Sequence, residues 1–218
     1  MSTLASVLAS RFQFKLTRKA VGWSVLGVLT LAILIFDLPL LDSHHPYRVY
    51  HYKVRFPLIP HLILGTTALL IGPLQFSRRM RTAYPHIHRI LGRIYVSSVL
   101  VAAPLGALIT VVGPKDPFFS IGVDVHAAVW FFTTLMAFLT ARNGHIAQHR
   151  QWMVRSYILT FSFIASRIIG PVWMVVWPPM TPHRYGIIDT GLNVAYLLIA
   201  DVALNWREIT TRRTAQTA

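Results

Sequence analysis

Long apolar runs are the feature that most constrains how this chain can fold. Stretches of about 20 mainly apolar residues recur along it, the length that an α-helix needs to cross about 30 Å of hydrocarbon. Six candidate spans can be marked off: 20–41, 59–76, 88–112, 122–141, 152–177 and 187–206. The segments between them are short and rich in proline, glycine and charge. The sequence therefore predicts an all-α fold, one transmembrane domain over residues 1–218 in which helices two to five form a four-helix core.

Composition excludes several classes of protein. Charged residues make up only 13% of the chain, against about 25% in a typical soluble domain. The net charge of +14 raises the possibility of a nucleic-acid partner, but the basic residues fall in short clusters between apolar runs rather than on one face. Cysteine is absent, which excludes disulfides, thiolate metal sites and covalently attached c-type haem. We expect membrane lipid as a partner, and no nucleic acid.

The distribution of basic residues predicts an orientation in the membrane. Most of the 21 lysine and arginine residues fall in segments that share one side when the six spans are threaded back and forth. Basic loops stay on the cytoplasmic side. The sequence therefore predicts a multi-pass protein of the inner (cytoplasmic) membrane with both termini in the cytoplasm.

Four histidines fall at the predicted ends of the central spans. His61 begins the second span and His126 the fourth, which places both near the outer surface, whereas His88 and His149 lie near the inner surface where spans three and five begin. A single histidine at the membrane interface often has no special role, because its apolar part packs on the protein while its polar tip stays in water. Two matched layers suggest more, because imidazoles from facing helices can hold a metal or both axial faces of a b-type haem.

Arginines surround the inner histidine pair. Arg89, Arg93, Arg150 and Arg155 lie close to it in sequence, and a guanidinium fork matches the carboxylate of a haem propionate. The tendency of basic residues to stay on the cytoplasmic side explains the same cluster. Arg155 has Asp201 as an alternative partner. Arg167 lies well inside span five, where a charge normally pairs or faces a cavity.

Glycines accompany two of the histidines at helical spacing. Gly65 follows His61 by four residues, and Gly92 follows His88 by four, so each shares a helix face with its histidine. A missing side chain there would let a flat macrocycle approach the backbone. Close packing of helices in the membrane is the alternative explanation.

Three motifs carry a resemblance to a known family. With HLILGTTALLIGPLQF, HRILGRIYV and HRQWMVRSYILTFSFIASR, the chain resembles, over about residues 55–170, the bacterial membrane proteins grouped as domain of unknown function 2306. In layout it is also similar to the cytochrome b-561 proteins, which are six-helix electron carriers with two haems. That likeness implies that His61 pairs with His126 and His88 with His149. The ascorbate-binding motif of the eukaryotic members has no counterpart here.

These observations predict a transmembrane electron carrier with two bis-histidine b-type haems, one in each leaflet. Quinone or another redox protein is the expected exchange partner. Two alternatives stay open: a metal site built from the same four histidines, and a non-catalytic accessory or scaffolding subunit. We assign no catalytic residue.

Overall fold

The computed structural model describes residues 48–113, 116–177 and 181–210, together with some residues between 22 and 35. The chain divides into two compact units, 1–39 and 40–218. In the first unit the described residues, 27–31 among them, are helical. Most of the predicted span 20–41 lies outside the described residues, as does the side chain of Arg167.

The described part of the second unit is helical throughout, as the sequence predicts. Its elements in chain order are α1 Arg48–Gln75, α2 Arg78–Ala83, α3 Pro85–Val112, α4 Pro117–Arg142, α5 Ile146–Val176 and α6 Pro182–Thr210. The five long helices cover the predicted spans from 59–76 onward, apart from the last residue of 59–76 and of 152–177. Several helices begin earlier than the apolar windows, because backbone hydrogen bonding does not require apolar side chains.

Local sequence explains where several helices begin. The Asp116 side chain accepts the backbone N–H of Phe119 at 2.9 Å and so caps α4, with Pro117 in the first turn. Ser77 caps α2 in the same way, through the N–H of Met80. Between α4 and α5 the chain reverses at Gly144, whose φ of 79° is a conformation that glycine adopts readily.

Four of the long helices close a ring. α1 packs on α3, α3 on α4 and α4 on α5, and α5 also contacts α1. These are the helices predicted as the second to fifth spans. α6 packs on the outside of the ring against α4 and α5. Helices α1 and α4 are therefore opposite each other in the ring, as are α3 and α5.

The exterior of the second unit is strongly apolar. Among the described residues four helices are long and apolar enough to cross a membrane: Val54–Gln75, Pro85–Val112, Pro117–Arg142 and His183–Trp206. Large hydrophobic side chains such as Val101, Phe132 and Leu198 point outward. A surface of this kind is suited to lipid rather than water.

Two helix contacts are close enough to require glycine. A Cβ on Gly186 of α6 would lie 2.3 Å from the backbone carbonyl of Phe118, and one on Gly122 of α4 would lie 2.9 Å from the Gly186 carbonyl oxygen. A Cβ on Gly72 of α1 would meet the Tyr157 ring at 2.1 Å. Small residues of this kind let membrane helices approach closely.

A cluster of buried polar side chains joins α3, α4 and α5. The Tyr95 hydroxyl, which is fully buried, bonds Ser156 Oγ at 2.8 Å and Thr160 Oγ1 at 2.9 Å. Thr134 Oγ1 bonds Ser156 at 2.6 Å, and the Trp130 indole N–H donates to Thr160 Oγ1 at 2.9 Å. We call these five residues the Tyr95 cluster. Because buried polar groups are costly when unpaired, the cluster fixes these three helices relative to one another.

Candidate functional site

His88 and His149 line one cavity of about 890 Å³ at the end of the ring where α3 and α5 begin. Each lies in the first turn of its helix, as the sequence predicts, and the two helices are opposite each other in the ring. The side chains of Val96, Phe138 and Met153 form the apolar part of the cavity wall. We call this space the basic cavity. Its volume lies within the range of ordinary ligand and cofactor sites, about 300–1,000 Å³.

Guanidinium groups dominate the polar part of the lining. Among the described residues, no aspartate or glutamate faces the basic cavity, and five arginines do: Arg81, Arg89, Arg93, Arg142 and Arg150. Within the described part of the chain, the guanidinium groups of Arg89, Arg93, Arg142 and Arg150 make no ion pair and no hydrogen bond. An excess of positive charge with no internal counter-ion favours an anionic group in this space.

Arg155 lies elsewhere. Its Nη2 is 2.7 Å from Asp201 Oδ1, its Nε donates to the same oxygen at 2.9 Å, and its guanidinium stacks on Trp152 at 5.1 Å. The Asp201 pairing considered from the sequence is therefore confirmed, and Arg155 is absent from the lining of the basic cavity.

Hydrogen bonding determines the tautomer of His149. Its Nδ1 lies 2.8 Å from the carbonyl oxygen of Ala137. A carbonyl oxygen can only accept, so Nδ1 carries the proton and Nε2 keeps its lone pair. Metal-binding histidines show this arrangement almost always. In His88, by contrast, Nδ1 is buried with no hydrogen-bond partner, as is the Gln75 amide nitrogen in the same cavity wall.

The other two histidines lie deeper than predicted. α1 begins at Arg48 and α4 at Pro117, so His61 lies about three and a half turns into its helix and His126 about two and a half. The interpretation of both as helix-end residues is therefore wrong. The apolar windows begin at 59 and 122, whereas the helices already begin at Arg48 and Pro117 and continue through the charged and proline-containing residues between.

His61 repeats the pattern seen in His149. Its Nδ1 donates to the carbonyl oxygen of Ala102 on α3 at 2.8 Å, which fixes the same tautomer. Gly106 makes the approach possible, because a Cβ there would lie 3.2 Å from His61 Cε1. Gly65, one turn along α1, is buried, and a Cβ there would meet no atom within 4 Å. Open space therefore lies beside Gly65, one turn from His61, whereas a Cβ on Gly92 would lie 3.3 Å from Gln75 Oε1.

His126 is oriented by α6. Its Nδ1 donates to the side-chain oxygen of Asn193, and the Asn193 amide donates to Asp189 Oδ2 at 3.3 Å. Ser162 Oγ lies 3.4 Å from His126 Nε2, but the single proton of this hydroxyl already goes to the Leu159 carbonyl at 2.6 Å. The Nε2 lone pair of His126 is therefore not satisfied by Ser162.

One indole contacts both deeper histidines. The Trp130 ring centroid lies 6.5 Å from that of His61 and 6.1 Å from that of His126. The fold thus brings these two histidines to the same side chain, although they lie on opposite helices of the ring. Sequence reasoning missed Trp130 and Asn193. Trp130 follows His126 by four residues and could have been found by helical spacing, whereas nothing in the sequence links Asn193 to His126.

A multi-ligand metal centre finds no support in the described residues. In those ranges no three histidine, cysteine, aspartate or glutamate side chains come close enough together to hold a metal ion. Catalytic zinc sites commonly use three protein ligands.

Comparison with known proteins gives one match. The family model for a predicted membrane protein, DUF2306, matches residues 58–204. No curated protein and no solved structure matches the chain. The family match runs from α1 into α6, and so includes all four histidines and the basic cavity. Because the match covers well over half of the chain, this multi-pass membrane protein belongs to the DUF2306 family.

Proposed function

We propose that the protein is a transmembrane electron carrier in which the imidazoles of His61 with His126, and of His88 with His149, hold two b-type haems. The observation that carries the proposal is the shared hydrogen bonding of three histidines. His61, His126 and His149 each donate Nδ1–H to an oxygen on a neighbouring helix. Each bond places the ring proton on Nδ1 and fixes the orientation of the ring, so that the lone pair of the imidazole lies on Nε2, a nitrogen through which histidine can bind iron.

The lining of the basic cavity supports a haem at this end of the ring. His88 and His149 approach from opposite helices, apolar side chains form part of the wall, and Arg89, Arg93 and Arg150 supply positive charge for propionates. His88 Nδ1 is buried without a hydrogen-bond partner among the described residues, and this imidazole faces the basic cavity. Arg155 is assigned instead to the pair with Asp201.

At the deeper pair, the residues beside the imidazoles would shape the site. Gly65 leaves open space on the His61 face of α1, and Trp130 packs against both rings. Along α3, His88 and the Ala102 carbonyl that holds His61 are separated by about 14 residues, or about 21 Å. The two sites would therefore occupy different depths of the membrane. When bound with two axial imidazoles, a haem supplies one-electron redox chemistry and offers no position for oxygen.

A non-catalytic accessory subunit is the second candidate. The observation in its favour is that the same imidazole bonds join helix to helix, α1 to α3, α4 to α6 and α5 to α4. Such bonds stabilise a bundle with or without a cofactor. In that case quinone or a redox protein would have no role as partner.

The visible absorption spectrum separates the two candidates. Protein purified in detergent from cells supplied with haem should show a sharp α-band and a Soret shift on reduction with dithionite. His149→Ala should remove the haem of the basic cavity and leave the other, and His126→Ala should do the reverse, because each iron loses one of two ligands. His145→Ala is the matched control, an exposed histidine one turn before His149.

Two results would contradict parts of the proposal. A colourless wild-type protein with normal folding would eliminate the electron carrier and leave the accessory subunit. Loss of both haems from either single histidine variant, with the His145→Ala control intact, would refute two separate sites.

A further inference from the structure

A second cavity opens beside the basic cavity. It has a volume of about 590 Å³ and is lined by residues of α2, α3 and the first turns of α5, among them Arg78, Arg81, Arg89 and Arg150. We call it the vestibule. Arg81, Arg89 and Arg150 also face the basic cavity, whereas Arg78 faces the vestibule alone.

The charges around the vestibule are held together without a counter-ion. No acidic side chain lines it, and in the described part of the chain Arg78, Arg89 and Arg150 have no ion pair or hydrogen bond through their guanidinium groups. Like charges placed around one cavity repel each other unless an anion lies between them. The arginines come from three helices, α2, α3 and α5, so that they converge on the space from different directions.

One of these arginines is fixed by the backbone. Arg81 Nη1 donates to the carbonyl oxygens of Gln75 at 3.2 Å and Phe76 at 2.9 Å. These carbonyls lie at the C-terminal end of α1, where the last backbone carbonyls of a helix have no partner within the helix. A guanidinium has five N–H donors, so the remaining ones stay available. The Arg81 side chain is therefore already ordered in the absence of a ligand, which lowers the entropy lost on binding.

The position of the vestibule points to the depth of lipid headgroups. It lies where the membrane-spanning segment Val54–Gln75 ends and the segment Pro85–Val112 begins. The phosphates of a bilayer flank its hydrocarbon at this level, and basic pockets between transmembrane helices bind anionic headgroups. Arginine forks match phosphate oxygens in geometry as well as charge.

We propose that the vestibule binds a phosphate-bearing anion through Arg78, Arg81, Arg89 and Arg150. The phosphate belongs either to an anionic phospholipid or to a soluble phosphate compound, and the two sources share this recognition chemistry. Arg81, Arg89 and Arg150 line both cavities, whereas Arg78 lines only the vestibule, so a change at Arg78 tests this proposal separately from the electron-carrier function.

Thermal unfolding of the purified protein in non-ionic detergent tests it. Three additives are titrated at equal concentration: short-chain phosphatidylglycerol, short-chain phosphatidylcholine and inorganic phosphate. We expect a saturable rise in Tm with phosphatidylglycerol, inorganic phosphate or both, exceeding that with phosphatidylcholine. A rise with the lipid alone identifies a headgroup site, and a rise with inorganic phosphate identifies a site open to soluble phosphates.

The variant pair Arg78→Gln and Arg79→Gln provides the control. Both arginines are exposed on α2, but only Arg78 lines the vestibule. Arg78→Gln should weaken binding about tenfold, since it removes one charge-assisted contact. Arg79→Gln should leave the affinity unchanged. If Arg78→Gln does not fold, Arg78→Lys replaces it, because it keeps the charge and removes the guanidinium fork that matches phosphate.

Two outcomes would overturn the proposal. If neither phosphatidylglycerol nor inorganic phosphate raises Tm more than phosphatidylcholine does, the vestibule binds no phosphate-bearing anion. An equal loss of affinity in Arg78→Gln and Arg79→Gln would show a diffuse surface-charge effect rather than a site. The absorption spectrum is measured on the same samples to distinguish the phosphate site from the haem sites. Loss of lipid binding with an unchanged spectrum concerns the phosphate site alone.

Discussion

The Tyr95 hydroxyl occupies the centre of the polar cluster that joins three helices. Tyr95→Phe would remove its bonds to Ser156 and Thr160 and leave two buried hydroxyls short of a partner. Interhelical hydrogen bonds in membranes contribute about 0.6 kcal/mol on average and about 1.7 kcal/mol at most, and the buried partners add a desolvation cost. We expect Tyr95→Phe to lower the free energy of unfolding by about 1–2 kcal/mol, measured by denaturant titration in mixed micelles. Tyr84→Phe, at an exposed position, should change it little. Equal stability of the two variants would show that the cluster does not hold the bundle together.

Individual side chains differ in how far the sequence predicts their role. The positions of His88 and His149 at the first turns of their helices follow from the ends of the apolar runs. The partners of His61 and His126 do not, because Ala102 is 41 residues from His61 and Asn193 is 67 residues from His126. Only the packing of the helices determines which oxygen each imidazole reaches. For the same reason Tyr95, an ordinary aromatic in an apolar run, gives no sign in the sequence of its hydrogen-bonded role.

Helices α4 and α6 approach each other closely at the level of the backbone. Gly186→Ala would push a methyl group into the backbone of Phe118 and Phe119, and neither helix can yield without moving its neighbours. Overpacking of this kind costs about 1–3 kcal/mol, so we expect a clear fall in the Tm of the detergent-purified protein. Gly191→Ala on the same helix is the control, because a Cβ there meets nothing within 4 Å. A Tm for Gly186→Ala no lower than that for Gly191→Ala would contradict this close packing.

Helices with long apolar runs were predictable, and the polar ends of the same helices were not. A 20-residue apolar window is a direct physical requirement of the membrane, which explains why α1 and α3 to α6 cover the predicted spans to within a residue at their C-terminal ends. No such requirement marks the first turns of α1, whose residues 48–58 carry charge and proline, or the short helix α2 with its sequence RRMRTA. Both matter for function, because the extension of α1 places His61 well inside the helix and α2 supplies Arg78 and Arg81.

In the second unit, the two ends of the four-helix ring differ in the charge of their side chains. At one end lie the basic cavity, the vestibule and six arginines with no acidic partner among the described residues: Arg78, Arg79, Arg89, Arg93, Arg142 and Arg150. Toward the other end lie His61, His126 and the carboxylate of Asp189, which bonds Asn193. Basic loops resist transfer across the membrane. The arginine-rich end should therefore face the cytoplasm.

Cysteine labelling can test this orientation without background, because the natural chain contains no cysteine. Lys115→Cys lies in the connection between α3 and α4, whereas Arg79→Cys and His145→Cys lie at the opposite ends of these helices. In intact cells a membrane-impermeant maleimide should label Lys115→Cys and leave the other two unlabelled until the membrane is broken. A cysteine added at the C-terminus should behave like Arg79→Cys if α3 to α6 all cross the membrane, because four crossings return the chain to the same side. Labelling of Arg79→Cys and His145→Cys in intact cells would show the opposite orientation.

Labelling of Lys115→Cys and His145→Cys on the same side would mean that α4 does not cross the membrane. The assignment of the two histidine pairs to different leaflets would then fail.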